Sequence, residues 1–193
     1  MDTLAQITDA IMADPANADF TARGDRPLFS ISPDAELLLI SQAPSRLAQS
    51  SMTFWNDPSG DRLRTWLGMS RETFYNSGKL AVLPLDFYFP GKDKSGDLPP
   101  RKGFAEKWHA PLLELMPKVR LSLLIGAYAQ NYYLGARRQR TLTETVRHYQ
   151  DYLPQYFPLV HPSPLNYRWM RTNPWFASDV VPALQTQVAA ILD

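Results

Sequence analysis

Four short apolar runs stand out along the chain: Ala35–Ser41 (AELLLIS), Lys79–Leu85 (KLAVLPL), Arg120–Gly126 (RLSLLIG) and Tyr156–Val160 (YFPLV). The first three lack the every-second-residue polar interruption of a half-exposed strand, which suits strands covered on both faces, as in a parallel sheet. Between them the apolar period changes to that of helices. Leu4, Ile7, Ala10 and Ile11 predict an opening amphipathic helix that ends near Pro15. Gly60–Met69 places Leu63, Trp66 and Leu67 on one face, Phe104–Met116 runs up to Pro117, and Gly126–Gly135 follows the third strand. Thr141 and Glu144 have capping-box spacing at the head of a helix over 141–153. Phe176, Val180, Leu184, Val188 and Leu192 form the stripe of a last helix that starts at Asn173 or Pro174.

Strands alternating with helices predict an α/β fold: a three-layer αβα sandwich around a central four-stranded parallel sheet. One domain is expected over residues 1–193, with 1–34 a helical extension packed on it. The proline-rich segments 84–103 and 154–175 read as ordered loops. In such a sheet the loops that leave the strands emerge at one edge, where ligands bind. Here they read SQAPSRL, LPLDFYFPGKDKSGD, GAYAQ and HPSPLNYRWMRTNPW.

Composition narrows the chemistry. The chain has no cysteine, which removes disulfides, thiolate zinc sites, iron–sulfur clusters and a cysteine nucleophile. Twenty Lys and Arg balance 19 Asp and Glu, so only local clusters could favour a polyanion: Arg137, Arg138 and Arg140 form one, Arg168 and Arg171 another. No stretch has the ~20 apolar residues of a membrane span, and the N-terminus lacks a signal-peptide pattern, so a cytoplasmic protein with no membrane contact is expected. A Gly-rich phosphate loop, an H-E-x-x-H pair and a G-x-S-x-G elbow are all missing.

His161 is one of three histidines and stands between Val160 and Pro162 at the end of the fourth strand. An imidazole there can donate a hydrogen bond to a developing anion, or it can simply tie down its loop. Backbone N–H groups of the SQAPS turn could grip a ligand, or belong to an ordinary turn. Phe54, Trp55, Tyr88, Phe89, Tyr167, Trp169 and Trp175 could stack on a planar base or form a second apolar cluster.

Taken in order, SQAPS after the first strand, FWNDPSGDRLRTWLG following it, LLIGAYAQ at the third strand and HPSPLN after the fourth resemble the uracil-DNA glycosylase superfamily over roughly Glu36 to Leu192. GDRLR-x-WLG and NPWF are similar to bacterial members without an assigned substrate. The resemblance implies a monofunctional, metal-free and cofactor-free DNA glycosylase that acts on a flipped-out base in single- or double-stranded DNA as a monomer. It implies that His161 hydrogen-bonds a carbonyl oxygen of the leaving base and that the Gln42–Ala43 backbone binds the base edge. Trp55 would lie on the base, with Phe54 and Leu83 beside it. Ser45 and Ser163 would contact phosphates, Leu165 would fill the vacated stack, and Arg168 would help hold the DNA. Gln42 stands where many members carry a water-activating residue, and Leu83 and Pro84 stand where the family reads uracil with an asparagine. The acids expected near the pocket are Asp57 and Asp86, and Gln42→Glu is expected to be tolerated. The alternatives are a catalytically silent nucleic-acid-binding protein that keeps the base pocket, and an enzyme acting on free nucleosides or small glycosides.

Overall fold

The computed structural model describes residues 3–94 and 96–192. The four apolar runs become strands β1 (Leu37–Ile40), β2 (Leu80–Val82), β5 (Leu121–Ile125) and β6 (Tyr156–Leu159), joined in the order β2-β1-β5-β6. All three pairings are parallel, with Leu37 opposite both Leu80 and Leu121, and Ser122 opposite Tyr156. A two-stranded antiparallel hairpin, β3 (Lys92–Asp93) and β4 (Gly96–Asp97), stands apart from this sheet.

The helices are α1 (Leu4–Ala13), α2 (Ala18–Ala22), α3 (Arg46–Ser51), α4 (Pro58–Leu67), α5 (Arg71–Asn76), α6 (Phe104–Leu113), α7 (Ala127–Leu134), α8 (Leu142–Arg147), α9 (Tyr167–Thr172) and α10 (Val181–Leu192). Strand alternation sorts the core into two layers. Leu37, Leu39, Leu123 and Phe157 face Leu63 and Leu67 of α4, Phe74 of α5 and Leu184 and Val188 of α10. Leu38, Ile40, Ala81 and Leu124 face Ile7 and Ile11 of α1, Leu112 of α6 and Ala129 of α7. The result is the three-layer α/β architecture with a central four-stranded parallel sheet.

Local chemistry accounts for most of the helix ends. Thr3 and Thr141 each form a full capping box, and Gly68 closes α4 in the left-handed region at φ +66°. Several elements depart from expectation. The helix expected over 104–116 ends at Leu113, with Pro111 inside it. The one expected over 141–153 stops at Arg147 and gives way to a 3₁₀ turn, Tyr149–Tyr152, in which Tyr149 stacks on Phe157 of β6 with ring centroids 4.6 Å apart. The tail starts as a π-helical turn, Phe176–Val180, before α10. The hairpin and α9 interrupt segments read as loops. Of the aromatics expected near the pocket, Tyr88 is fully buried against Phe20, and Trp169 and Trp175 pack edge to face with each other and with Phe176 of the last helical segment, so these form apolar clusters.

Candidate functional site

A cavity of about 150 Å³ opens at the edge where the parallel strands end. The loop after β1 supplies Gln42, Ala43, Pro44 and Ser45. The loop between α3 and α4 supplies Phe54, Trp55 and Asp57, and the loop after β6 supplies His161 and Ser163. Segments more than a hundred residues apart thus meet because parallel strands deliver their outgoing loops to one edge.

His161 is fixed from several sides. Its Nδ1 accepts from the Ser163 N–H at 3.1 Å, its carbonyl accepts from Asn166 Nδ2 at 2.9 Å, and the neighbouring Pro162 carbonyl accepts from Arg62 Nη1 at 3.1 Å. An Nδ1 that accepts leaves the proton of the neutral ring on Nε2. Burial pushes the imidazole down to about 4, against a smaller upward pull from Asp57. At neutral pH the ring is therefore uncharged, with an Nε2–H donor that no protein group uses among the described residues.

Trp55 is only 8 % exposed and its backbone lies in the left-handed region at φ 55°, a conformation non-glycine residues seldom adopt. The strain is held by α4 and α5. Arg64, 5 % exposed, donates from Nη1 to the Trp55 carbonyl at 3.1 Å, and the Tyr75 hydroxyl donates to the Phe54 carbonyl at 2.8 Å. Gly60 lets the chain pass so close that a Cβ there would lie 1.7 Å from the Trp55 oxygen. The Trp55 ring then leans on His161, with centroids 5.6 Å apart and planes at 34°. Arg64, Tyr75 and Gly60 were not singled out from the sequence; they act through contacts that no local pattern carries.

The turn after β1 is divided in its work. The Gln42 carbonyl accepts from the Asp86 N–H, whereas the N–H of Ala43, a residue of the cavity lining, has no partner among the described residues. Gln42 Nε2 donates to the Leu98 carbonyl at 2.6 Å and reaches the Asp97 carbonyl at 3.4 Å, so its amide is taken by the hairpin segment. Ser45 caps α3, accepting from the Ala48 N–H, and gives its only proton to Asp57 Oδ2 at 2.9 Å. It therefore has no hydrogen left for a phosphate. Ser163 does: its hydroxyl accepts from the Leu165 N–H and keeps its proton.

Two expected members of the pocket lie outside it. Leu83 is fully buried in the opposite layer with Leu38 and Ile40. The pleat turns Val82 and Pro84, not Leu83, toward the cavity. Asp86 is 0 % exposed and bidentate to Arg101, at 2.7 Å from Nε and 2.8 Å from Nη2. That guanidinium lies between the Phe20 and Phe104 rings, so Asp86 is a locked structural anion. Asp57 does line the cavity, with Oδ1 accepting from Gly60 N–H as the N-cap of α4. Leu165, 79 % exposed, stands beside the Ser163 loop, and Arg168 lies in a separate groove with Tyr167, Arg171 and Thr172. Asp97 and Ser59 also line the cavity and were not anticipated.

No group of three or more metal-ligating side chains occurs among the described residues, and no helix there is long and apolar enough to cross a membrane. A sequence model described as the uracil DNA glycosylase superfamily matches residues 29–185. Among solved structures, the chain is similar to the solution NMR structure of a protein from Methanosarcina acetivorans provisionally described as a uracil DNA glycosylase. That match has 15 % identity and a TM-score of 0.47, covering 81 % of this chain and 93 % of the other.

Proposed function

The chain belongs to the uracil DNA glycosylase superfamily, and on that footing we propose that it hydrolyses the N-glycosidic bond of a flipped-out base in DNA, uracil or another deaminated base. The observation that carries this reading is the neutral His161, with Nδ1 engaged and an unused Nε2–H at a base-sized cavity. As the bond to the sugar breaks, its electron pair leaves with the base and charge gathers on a carbonyl oxygen. A fixed donor there stabilises the transition state more than the ground state. A neutral imidazole serves this end without carrying a charge into the pocket. Trp55 gives the base a rigid wall, and the Ala43 N–H offers its edge a donor. Val82 and Pro84 offer no hydrogen bond where an amide would distinguish uracil, so selectivity among bases rests on shape and on backbone groups.

Outside the cavity, Leu165 is exposed enough to enter a stack, Ser163 has a free hydroxyl proton for a phosphate, and Arg168 and Arg171 add positive charge along the approach. The test is a panel of single- and double-stranded oligonucleotides carrying uracil, hypoxanthine or xanthine, scored for abasic sites. Cleavage of at least one by wild type, lost in His161→Ala, supports the reading. One observation favours the alternative of a silent binding protein: Gln42 directs its amide N–H groups at the Leu98 and Asp97 carbonyls, which leaves only its amide oxygen to hold a catalytic water. Tight binding of the panel without cleavage would favour that alternative.

A further inference from the structure

Val82 and Pro84 line the cavity without offering a hydrogen-bonding side chain, so the fit of a base depends on where their backbone is held. The strand that carries them, β2, is three residues long and lies at the edge of the sheet. Its end is held residue by residue. Val82 exchanges both backbone bonds with Ser30, at 2.8 and 2.9 Å. The Leu83 and Leu85 N–H groups donate to the Leu39 and Ser41 carbonyls. Pro84, between them, has no N–H to give. Its carbonyl is taken from outside the sheet, by Nε2 of His109 on α6 at 3.0 Å.

His109 is buried, and its two nitrogens have defined roles. A carbonyl only accepts, so Nε2 carries the ring proton, and Nδ1 accepts from the Tyr133 hydroxyl of α7 at 2.6 Å. Burial raises the pKa of that hydroxyl, which keeps its proton, and it pushes the imidazole down to about 4, which keeps the ring neutral. Phe87, on the same segment as Pro84, lies parallel to the ring with centroids 6.0 Å apart. A chain of two hydrogen bonds thus runs from α7 through α6 to the cavity wall. An apolar side chain would fill the same space without the cost of burying a polar ring. It would not fix the Pro84 peptide.

We propose that His109 is a positioning residue for base selectivity: its Nε2–H fixes the Pro84 peptide, and with it the apolar wall against which bases are sorted, while Tyr133 holds the imidazole in the tautomer that can donate. This rests on the glycosylase reading above, in which a base enters the cavity. His109 touches no substrate. It acts by denying the wall the freedom to retreat before a base of the wrong outline, and a pocket that discriminates by shape keeps its preference only while its wall is rigid. Removing the donor leaves the Pro84 carbonyl buried without a partner, and the segment relaxes to find one.

The experiment measures kcat/KM on the uracil, hypoxanthine and xanthine oligonucleotides and takes the ratio of the best base to the next as the preference of each protein. His109→Leu is expected to lower that preference roughly 10-fold, the scale of a small change of fit in an apolar pocket. His109→Gln, whose Nε2 can still donate to the Pro84 carbonyl, is expected to keep it. Tyr133→Phe, a milder change that serves if His109→Leu does not fold, frees the tautomer and is expected to lower the preference by less. Leu112→Ala is the control for a merely structural role, because it opens the same buried layer from the same helix without touching Pro84. It is expected to lower Tm and leave the preference unchanged. Nitrogen NMR of the labelled imidazoles reads the His109 tautomer without any substrate, and Nε2–H is expected. An Nδ1–H ring in wild type, a wild-type preference in His109→Leu or in Tyr133→Phe, or an equal loss in Leu112→Ala overturns the proposal and leaves the glycosylase reading intact. A wild type that cleaves nothing removes that reading and the proposal with it.

Discussion

Replacing Gly60 by alanine tests how the cavity wall is built, and it needs no substrate. A Cβ on Gly60 would meet the Trp55 carbonyl oxygen at 1.7 Å and its carbon at 2.5 Å, where ordinary contact starts at 3.4 Å. The backbone therefore has to open by 3.4 − 1.7 = 1.7 Å. The three nearest atoms belong to the main chain, so no side chain can swing away to absorb this. Retreat of the Trp55 carbonyl breaks its bond from Arg64 and leaves a buried guanidinium N–H without an acceptor, at ~1–3 kcal/mol. Overpacking costs a further ~1–3 kcal/mol. Against these stands alanine's better helix propensity, ~1 kcal/mol, since Gly60 lies within α4 at a position that needs no positive φ. The net is about 3 kcal/mol of destabilisation, a fall in Tm of roughly 10 °C at ~2–4 °C per kcal/mol for a chain of this size. Thermal unfolding followed by far-ultraviolet circular dichroism reads the stability, and near-ultraviolet dichroism and tryptophan fluorescence read the setting of Trp55. Thr65→Ala, on the exposed side of the same helix, is the control and should be nearly neutral. A Gly60→Ala protein that melts at or above wild type with an unchanged aromatic spectrum would refute the account of how Trp55 is held.

Acid should weaken the fold over a defined window. Burial holds both His109 and His161 at about 4, below the ordinary 6.5, so the unfolded chain takes up two protons from pH 6.5 downward that the folded chain refuses until near pH 4. The stability they confer is complete above pH 6.5 and is lost as pH falls toward 4. Urea unfolding should show a loss of about 2–4 kcal/mol between pH 7 and pH 5, and a flat profile would contradict the neutral assignments. His161→Ala should slow cleavage of the best oligonucleotide by ~10²–10³, with a Tm close to or above wild type at pH 5; an unaltered rate would move the chemistry elsewhere. Arg168→Ala and Arg171→Ala should each lower the slope of log binding constant against log salt by about 1 for duplex DNA, and slopes equal to wild type would take that groove off the DNA path. Leu165→Ala should lower cleavage of duplex more than of single-stranded DNA, which has no stack to refill, and an equal loss on both would rule out a wedge role.

What could be read in advance followed from how far each signal reaches along the chain. Three of the four strands were legible because burial on both faces removes polar alternation, the fourth as a short apolar run, and Thr141 and Glu144 announced their helix through a contact three residues long. Helices α3 and α5, six residues each, are too short to show a period. The hairpin pairs Lys92 and Asp93 with Asp97 and Gly96, so it has no apolar pattern to detect. Leu83 was misplaced by one residue, enough in a strand to put a side chain in the wrong layer. Gln42 was read by position in its motif, yet its amide is committed to Leu98, 56 residues further on. His161, Trp55 and Ala43 could be found from motifs; the groups that hold the Phe54–Trp55 backbone, Arg64 and Tyr75, meet it only in three dimensions.

Two histidines, His109 buried and His161 partly buried, make the strongest internal argument for where chemistry would occur. Burial lowers both to about 4, so titration alone does not separate them. Their partners do. His109 is satisfied at both nitrogens, by the Tyr133 hydroxyl at 2.6 Å and the Pro84 carbonyl at 3.0 Å, and stacks on Phe87 inside the core. It is a tie between α6 and the segment after β2. Among the described residues His161 finds a partner at one nitrogen only, and the other is left for whatever enters the cavity. Beside it Trp55 keeps a left-handed backbone at a cost of ~1–3 kcal/mol, in a loop whose other non-glycine residue at positive φ is Met52. A fold selected for stability alone would relax Trp55. That strain standing beside an unused donor on one wall of one cavity is what a site prepared for a ligand requires. The unused donor on His161 further implies that this ligand presents an acceptor there.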